Sequence, residues 1–167
     1  MKSNTTFDFA VDKATHSIRV KRELATTLST AWDVFTKPKL LDQWWAPKPY
    51  RSKTKSMEFK EGGRRLYAMV GPNGEEHWAL ADYAAITPQF SFTYLDGFCD
   101  EAGNINSEMP RSHWNLNFIE VTNLTKVDIT ITYNSLEDLE KIIALGFREG
   151  FSIALDGLDE ILLTPKK

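Results

Sequence analysis

From Ser135 onward the chain reads SLEDLEKIIALGFREGFSIALDGLDEILL, the longest stretch in which apolar residues return at the period of an α-helix. Leu136, Leu139, Ile143, Phe147 and Phe151 open the stripe, and Ala154, Leu155, Leu158, Ile161 and Leu162 continue it. A run of about 28 residues at helical rise extends roughly 40 Å. Ser135 followed by Asp138 resembles a capping box, with Asp where Glu or Gln is usual. One row of this helix lacks bulk, because Gly146 and Gly150 lie four apart and Ala154 continues them. Glycine inside a helix costs about 1 kcal/mol relative to alanine, so the row needs a reason. Two reasons fit: close approach of another element, or room for something that is not protein.

The remainder has strand periodicity. Phe7, Phe9 and Val11 alternate with polar residues, and Ile18, Val20 and Arg22 do so again after the DKATH turn, which predicts two opening strands. Leu28, Ala31, Trp32 and Phe35 then mark a short helix with Thr26 or Thr27 as N-cap. Thr36 before Pro38 reads as the cap and first turn of a second short helix carrying Leu40, Leu41 and Trp44. Between Met57 and Tyr133, turn signals such as Gly62-Gly63 and Pro72-Asn73-Gly74 separate RRLYAMV, HWALADYAAI, QFSFTYL, HWNLNFIEV and KVDITITY. The expectation is an α+β chain with an antiparallel sheet of about six or seven strands, crossed by the closing helix. Residues 96–112 read as a protruding loop or lid-like hairpin.

Alternation also predicts what the sheet shows to that helix. Tyr67 and Met69 share a face, as do Phe90, Phe92 and Tyr94, and as do Trp114, Leu116 and Phe118, while Val127, Ile129 and Ile131 read as plain core. The intervening strand carries the small residues Ala79, Ala81, Ala84 and Ala85. Large rings flanking alanines leave a hollow that a glycine-striped helix need not fill, and an apolar pocket follows if packing is incomplete. The candidate lining from the sheet side is Tyr67, Met69, Trp78, Phe92, Tyr94, Trp114, Leu116 and Phe118. From the helix it is Phe147, Gly150, Phe151 and Ala154, with Trp45 at one end.

Trp45 enters through QWWAPKPY, residues 43–50. Successive helical positions diverge by about 100°, so Trp44 and Trp45 cannot face the same neighbour. If Trp44 continues the Leu40/Leu41 face into the core, Trp45 is left for the sheet edge or the pocket end; the opposite rotation swaps the two, and a third reading makes both rings packing for the helix pair. Pro47 and Pro49 bias the residues before them to extended backbone, halting the helix.

Composition excludes several classes. With 42% hydrophobic and 26% charged residues, 167 residues read as one globular domain spanning 1–167. Net charge is −3 and basic residues occur singly or in pairs (Lys21-Arg22, Arg64-Arg65, Lys166-Lys167), against a nucleic-acid partner. The N-terminal stretch has no signal-peptide core, and no run approaches the roughly 18 apolar residues of a membrane span, so a cytoplasmic location is expected. Cys99 is the lone cysteine and reads as a partly buried small residue. His16, His77 and His113, with Glu75, Glu76, Asp82 and Asp96, are the ionisable groups available, and they form no recognised metal, phosphate or nucleophile motif. His113 precedes Trp114 and is expected on the other face of its strand. Neither a catalytic residue nor a metal or organic cofactor is expected, and the chain is expected as a monomer or homodimer.

Three motifs occur in a telling order: WDVFTKPKLLDQWW, GGRRLYAMVGPNG and GFREGFSIAL. With them nearly the whole chain resembles the START-like helix-grip (SRPBCC) superfamily, in the branch named after the activator of heat-shock-protein-ninety ATPase. The resemblance implies a curved antiparallel sheet around a long C-terminal helix, with an apolar cavity between them. For function it implies binding of a small apolar or aromatic molecule, with an enzyme of the polyketide cyclase or hydratase kind and a chaperone-interacting module as alternatives. The co-chaperone that names the branch carries a further N-terminal domain, for which the residues before Phe7 are too few.

Overall fold

β1 (Phe7–Asp12) and β2 (Ser17–Leu24) form the opening hairpin, and the chain then leaves the sheet because Thr27 starts a helix. In the computed structural model, which describes residues 7–163, the Thr27 hydroxyl accepts the Thr30 N–H at 3.2 Å, an N-cap for α1 (Leu28–Thr36). Residues 1–6 and the Lys166-Lys167 pair lie outside the described residues. Pro38 occupies the first turn of α2 (Pro38–Leu41), as its fixed φ favours. Thr36, expected as the cap of α2, instead closes α1 by donating its hydroxyl to the Trp32 carbonyl at 2.8 Å. α2 is also shorter than expected, and Trp44 and Trp45 follow it in turns bonded back to the Leu41 carbonyl.

The next six strands are β3 (Arg51–Met57), β4 (Arg64–Val70), β5 (Glu76–Thr87), β6 (Ser91–Cys99), β7 (Ser112–Val121) and β8 (Leu124–Tyr133). Among the described residues the sheet has eight antiparallel strands in the order β1-β2-β8-β7-β6-β5-β4-β3, rather than six or seven. The strand missing from the sequence reading is β3, RSKTKSM. It is an edge strand with Ser52 as its one buried residue, so it has no apolar alternation to announce it. Register shifts at Thr54/Ser56 and Tyr83/Ile86 bend the sheet, as bulges do. The second shift leaves Ala84 and Ala85 exposed instead of beside the hollow, and Phe90 lies exposed in the turn before β6. β6 runs through Cys99, so the loop that was expected over 96–112 begins after it; the Asn106 N–H donates to the Phe98 carbonyl and the Lys141 ammonium to the Glu108 carbonyl, tying it back to sheet and helix.

The closing helix is two helices. α3 (Leu136–Ala144) is capped by Ser135, whose hydroxyl accepts the Asp138 N–H at 3.1 Å, and α4 (Phe147–Leu163) follows. Between them Gly146 has φ +93°, a left-handed conformation that ends α3. The apolar period ran through this break because both helices bury one face. Gly146 is therefore a pivot, not part of a smooth groove along one helix. α4 is held against the opening hairpin where the buried Arg22 donates to Asp156 and Asp159.

Under α1 the sheet is filled: Trp32 meets Phe59, Phe92 and Phe118 edge-on at 5.9, 5.6 and 5.1 Å, above the fully buried Val20, Ile129 and Ile131. No helix among the described residues is long and apolar enough to cross a membrane.

The two glycines separate cleanly in a stability measurement. Gly146→Ala places a side chain at positive φ and is expected to cost about 1–2 kcal/mol. Gly150 is helical, and an added Cβ meets only Pro47 Cγ at 3.6 Å, an ordinary contact. Gly150→Ala is therefore expected to raise stability by up to about 1 kcal/mol in urea melts.

Candidate functional site

Away from α1 the inner face of the sheet is not filled. A cavity of about 280 Å³ lies between the sheet and the α3–α4 pair. Its floor follows from register: Tyr67 pairs with Ala79 and Ala79 with Phe98, so a methyl group separates large side chains across three strands. Trp114 and Ser112 of β7 and Tyr133 of β8 continue the floor. Ile142 of α3 and Phe147 and Phe151 of α4 form the roof, where Gly150 leaves a gap toward Pro47. Leu145, which lines the cavity, is 64% exposed, so the space reaches the surface beside the α3–α4 turn, next to Pro110 and Pro47.

The end wall is Trp45. Its ring lies 5.8 Å from Trp114 and 6.0 Å from Phe151, and its indole N–H donates to the Tyr67 hydroxyl at 2.9 Å. Trp44 turns the other way, fully packed against Phe35 with its N–H on the Val34 carbonyl at 2.9 Å. The divergence read from QWWAPKPY is thus resolved with Trp44 in the core and Trp45 at the cavity.

Polar groups are few and concentrated at one place. The Asp96 carboxylate accepts the Ser112 N–H and hydroxyl, both at 2.7 Å, and the Trp114 indole N–H at 3.1 Å. Burial pushes the Asp96 carboxyl above the ordinary carboxylate range, against the pull of these donors. Asp96 lines the cavity and is only partly exposed. Burial likewise raises Tyr67, and raises Tyr94 and Tyr133 further. Behind Tyr67 the Arg65 guanidinium stacks 3.9 Å from its ring, buried and held by Ser52 at 2.9 Å, Thr54 at 3.3 Å and Asp42 at 3.5 Å. A second space of only about 20 Å³ lies on that side, between Arg65, Tyr83 and Tyr94.

Seven of the expected lining residues meet at the cavity: Trp45, Tyr67, Met69, Trp114, Phe147, Gly150 and Phe151. Phe92, Tyr94 and Leu116 stand behind it around the smaller space, and Phe118 and Ala154 are core. Trp78 is on the opposite face of the sheet, because it pairs with Ala68 and Cys99, one residue out of phase with Tyr67 and Ala79; the Lys55 ammonium lies 5.8 Å from its ring. His77 and His113 are exposed. Asp82 is bound by Arg64 and Arg111. Burial raises the Cys99 thiol. Among the described residues no three His, Cys, Asp or Glu side chains gather where a metal ion could be held. What the sequence reading missed was the continuation of alternation: Asp96 follows Tyr94 by two and Phe92 by four, Ser112 precedes Trp114 by two, and Tyr133 follows Ile131 by two.

The chain has close structural relatives. A family model described as activator of Hsp90 ATPase homolog 1-like protein matches residues 25–163. The crystal structure of protein Ms6760 from Mycobacterium smegmatis is 31% identical, with 98% of this chain and 99% of that one covered and a TM-score of 0.87. A solution structure of a protein from Arthrobacter aurescens is 26% identical over 96% of this chain and 93% of that one, with a TM-score of 0.89. One from Staphylococcus epidermidis is 26% identical over 94% and 97%, with a TM-score of 0.81. No curated protein matches the chain.

Trp44→Ala removes a buried ring and is expected to lower stability by about 3–5 kcal/mol, with Trp45→Ala clearly less damaging in the same denaturant melts. Asp96 sets a pH dependence. A carboxyl raised in the folded state keeps its proton where the unfolded chain has already lost it. Its contribution is therefore most favourable at low pH and declines as pH rises from the ordinary carboxylate pKa through the folded value. The stability difference between the parent and Asp96→Asn, followed by melts from acid to neutral pH, should shift toward the variant.

Proposed function

The chain belongs to the activator of Hsp90 ATPase homolog 1-like family, and from that premise we propose that it binds a small apolar or aromatic molecule in the cavity between the sheet and the C-terminal helices. The observation that carries the reading is the cavity itself. Protein interiors are close-packed, yet about 280 Å³ here is walled by Trp45, Tyr67, Trp114, Phe147 and Phe151 and left unfilled by Ala79 and Gly150. Ligand pockets run to about 300–1,000 Å³, and this one lies just below that range, which favours a ligand of one or two rings. The opening beside Leu145 supplies a way in.

A second reading, an enzyme of the polyketide cyclase or hydratase kind, draws on Asp96 and Tyr67. Both line the cavity and both can hold or move a proton. On that reading Asp96→Asn abolishes turnover while an unreactive apolar ligand still binds.

Native mass spectrometry of freshly purified protein is expected to find a co-purifying small molecule, and titration with an apolar dye is expected to quench Trp45. Gly150→Leu projects a side chain toward the cavity. It should abolish dye binding with stability unchanged or raised. Severe destabilisation of that variant, with no dye bound by the parent, is the result that would sink the cavity reading.

A further inference from the structure

Asp96 is an anomaly for a purely apolar cavity. A carboxylate offers about four acceptor positions, and here three neutral donors occupy it: the Ser112 N–H and hydroxyl and the Trp114 indole N–H. Among the described residues no cationic side chain pairs with it. Arg111, the nearest, gives its Nε–H to the Asp96 backbone carbonyl at 2.9 Å and its Nη2 to Asp82 at 3.0 Å. Arg65 is turned away behind the Tyr67 ring, engaged by Asp42, Ser52 and Thr54. The Arg111 charge attracts the carboxylate without forming an ion pair, its N–H groups being given to other acceptors. A largely buried carboxylate with no ion-pair partner is expensive and persists where something else repays it.

The same cavity is lined by the rings of Tyr67, Trp114, Trp45 and Phe151. A cation within about 6 Å of such rings is attracted by their quadrupoles, most strongly in a water-poor site. An aromatic enclosure with one carboxylate at its floor is the chemistry that recognises an ammonium group. The geometry points to a ligand of that class: a compact primary or secondary amine with an aromatic or alicyclic body, its ammonium N–H donated to Asp96 and its body among Trp45, Phe147 and Phe151. This rests on the cavity-binding reading and adds the charge that the ligand carries. Burial holds the Asp96 carboxyl above its ordinary value despite the donors and the Arg111 charge that pull it down, and a bound ammonium would offset that push. The groups facing Asp96 are accounted for: Tyr67 on β4, Tyr94 on β6, Tyr133 on β8 and Arg111 before β7, while the cavity lining from α3 and α4 contains nothing ionisable.

The test uses three probes of one shape, 2-phenylethylamine, 2-phenylethanol and phenylacetate, titrated calorimetrically into the intact protein at neutral pH. The amine is expected to bind on the order of 10- to 100-fold more tightly than the alcohol, as a charge-assisted hydrogen bond implies, and phenylacetate least. In Asp96→Asn the amine should fall to the level of the alcohol measured on the same variant. The parent's amine-to-alcohol ratio needs no variant, so a misfolded Asp96→Asn protein leaves the comparison intact. Equal binding of amine and alcohol would overturn this inference while leaving the apolar-cavity reading standing. Preference for phenylacetate, or amine selectivity that survives in Asp96→Asn, would also overturn it. Failure of all three probes to bind would remove both.

Discussion

Two indole N–H groups on adjacent residues find acceptors in opposite directions, and the layout of the interior depends on that. Trp44 donates to the Val34 carbonyl inside the α1 core, and Trp45 donates to the Tyr67 hydroxyl at the cavity. The rings meet at 5.3 Å and 72°, so they form one partition. On one side α1 lays Trp32 and Phe35 into Phe92 and Phe118; on the other, Trp45 meets Trp114 and Phe151 at the wall of the cavity. Rotating either ring would strand a buried donor, at a cost of about 1–3 kcal/mol, so the boundary between the filled and unfilled halves is held firmly.

The cavity stays open because its walls are anchored elsewhere. Leu155 and Leu158 of α4 are fully buried, and Arg22 of β2 binds Asp156 and Asp159 on the same helix. That fixes α4 while the turn at Gly146 redirects the chain from α3, and the roof cannot settle onto Ala79. On the floor, Tyr67 is clamped between the Trp45 indole and the Arg65 guanidinium. An apolar void surrounded by pinned elements is not free to collapse, which is what preorganisation of a binding site requires.

Much of this was legible in the sequence. Strand alternation located Tyr67, Met69 and Trp114 on the cavity side, and the spacing of Phe147, Gly150 and Phe151 put them on the helical side. The errors have physical causes. β3 was invisible because an edge strand with one buried residue carries no hydrophobic pattern. Trp78 was misplaced because a ring draws attention wherever it falls, although a shift of one position moves a strand residue to the other face. Asp96 stands in the sequence only as one of several available ionisable groups, because nothing in its own stretch shows which strands close over it.

By itself the sequence determined the local periods, the caps at Thr27 and Ser135, and the divergence of Trp44 from Trp45, since each depends only on neighbours within a few positions. It also carried the motifs that placed the chain in its family. The tertiary structure alone decided that Gly146 bends the closing helix, that Trp45 rather than Trp44 meets the cavity, and that Asp96, Ser112 and Trp114 converge there. Those outcomes turn on helix rotation and on register between strands distant in sequence, quantities that no local pattern encodes, because they are set by which packing satisfies every buried donor and acceptor at once.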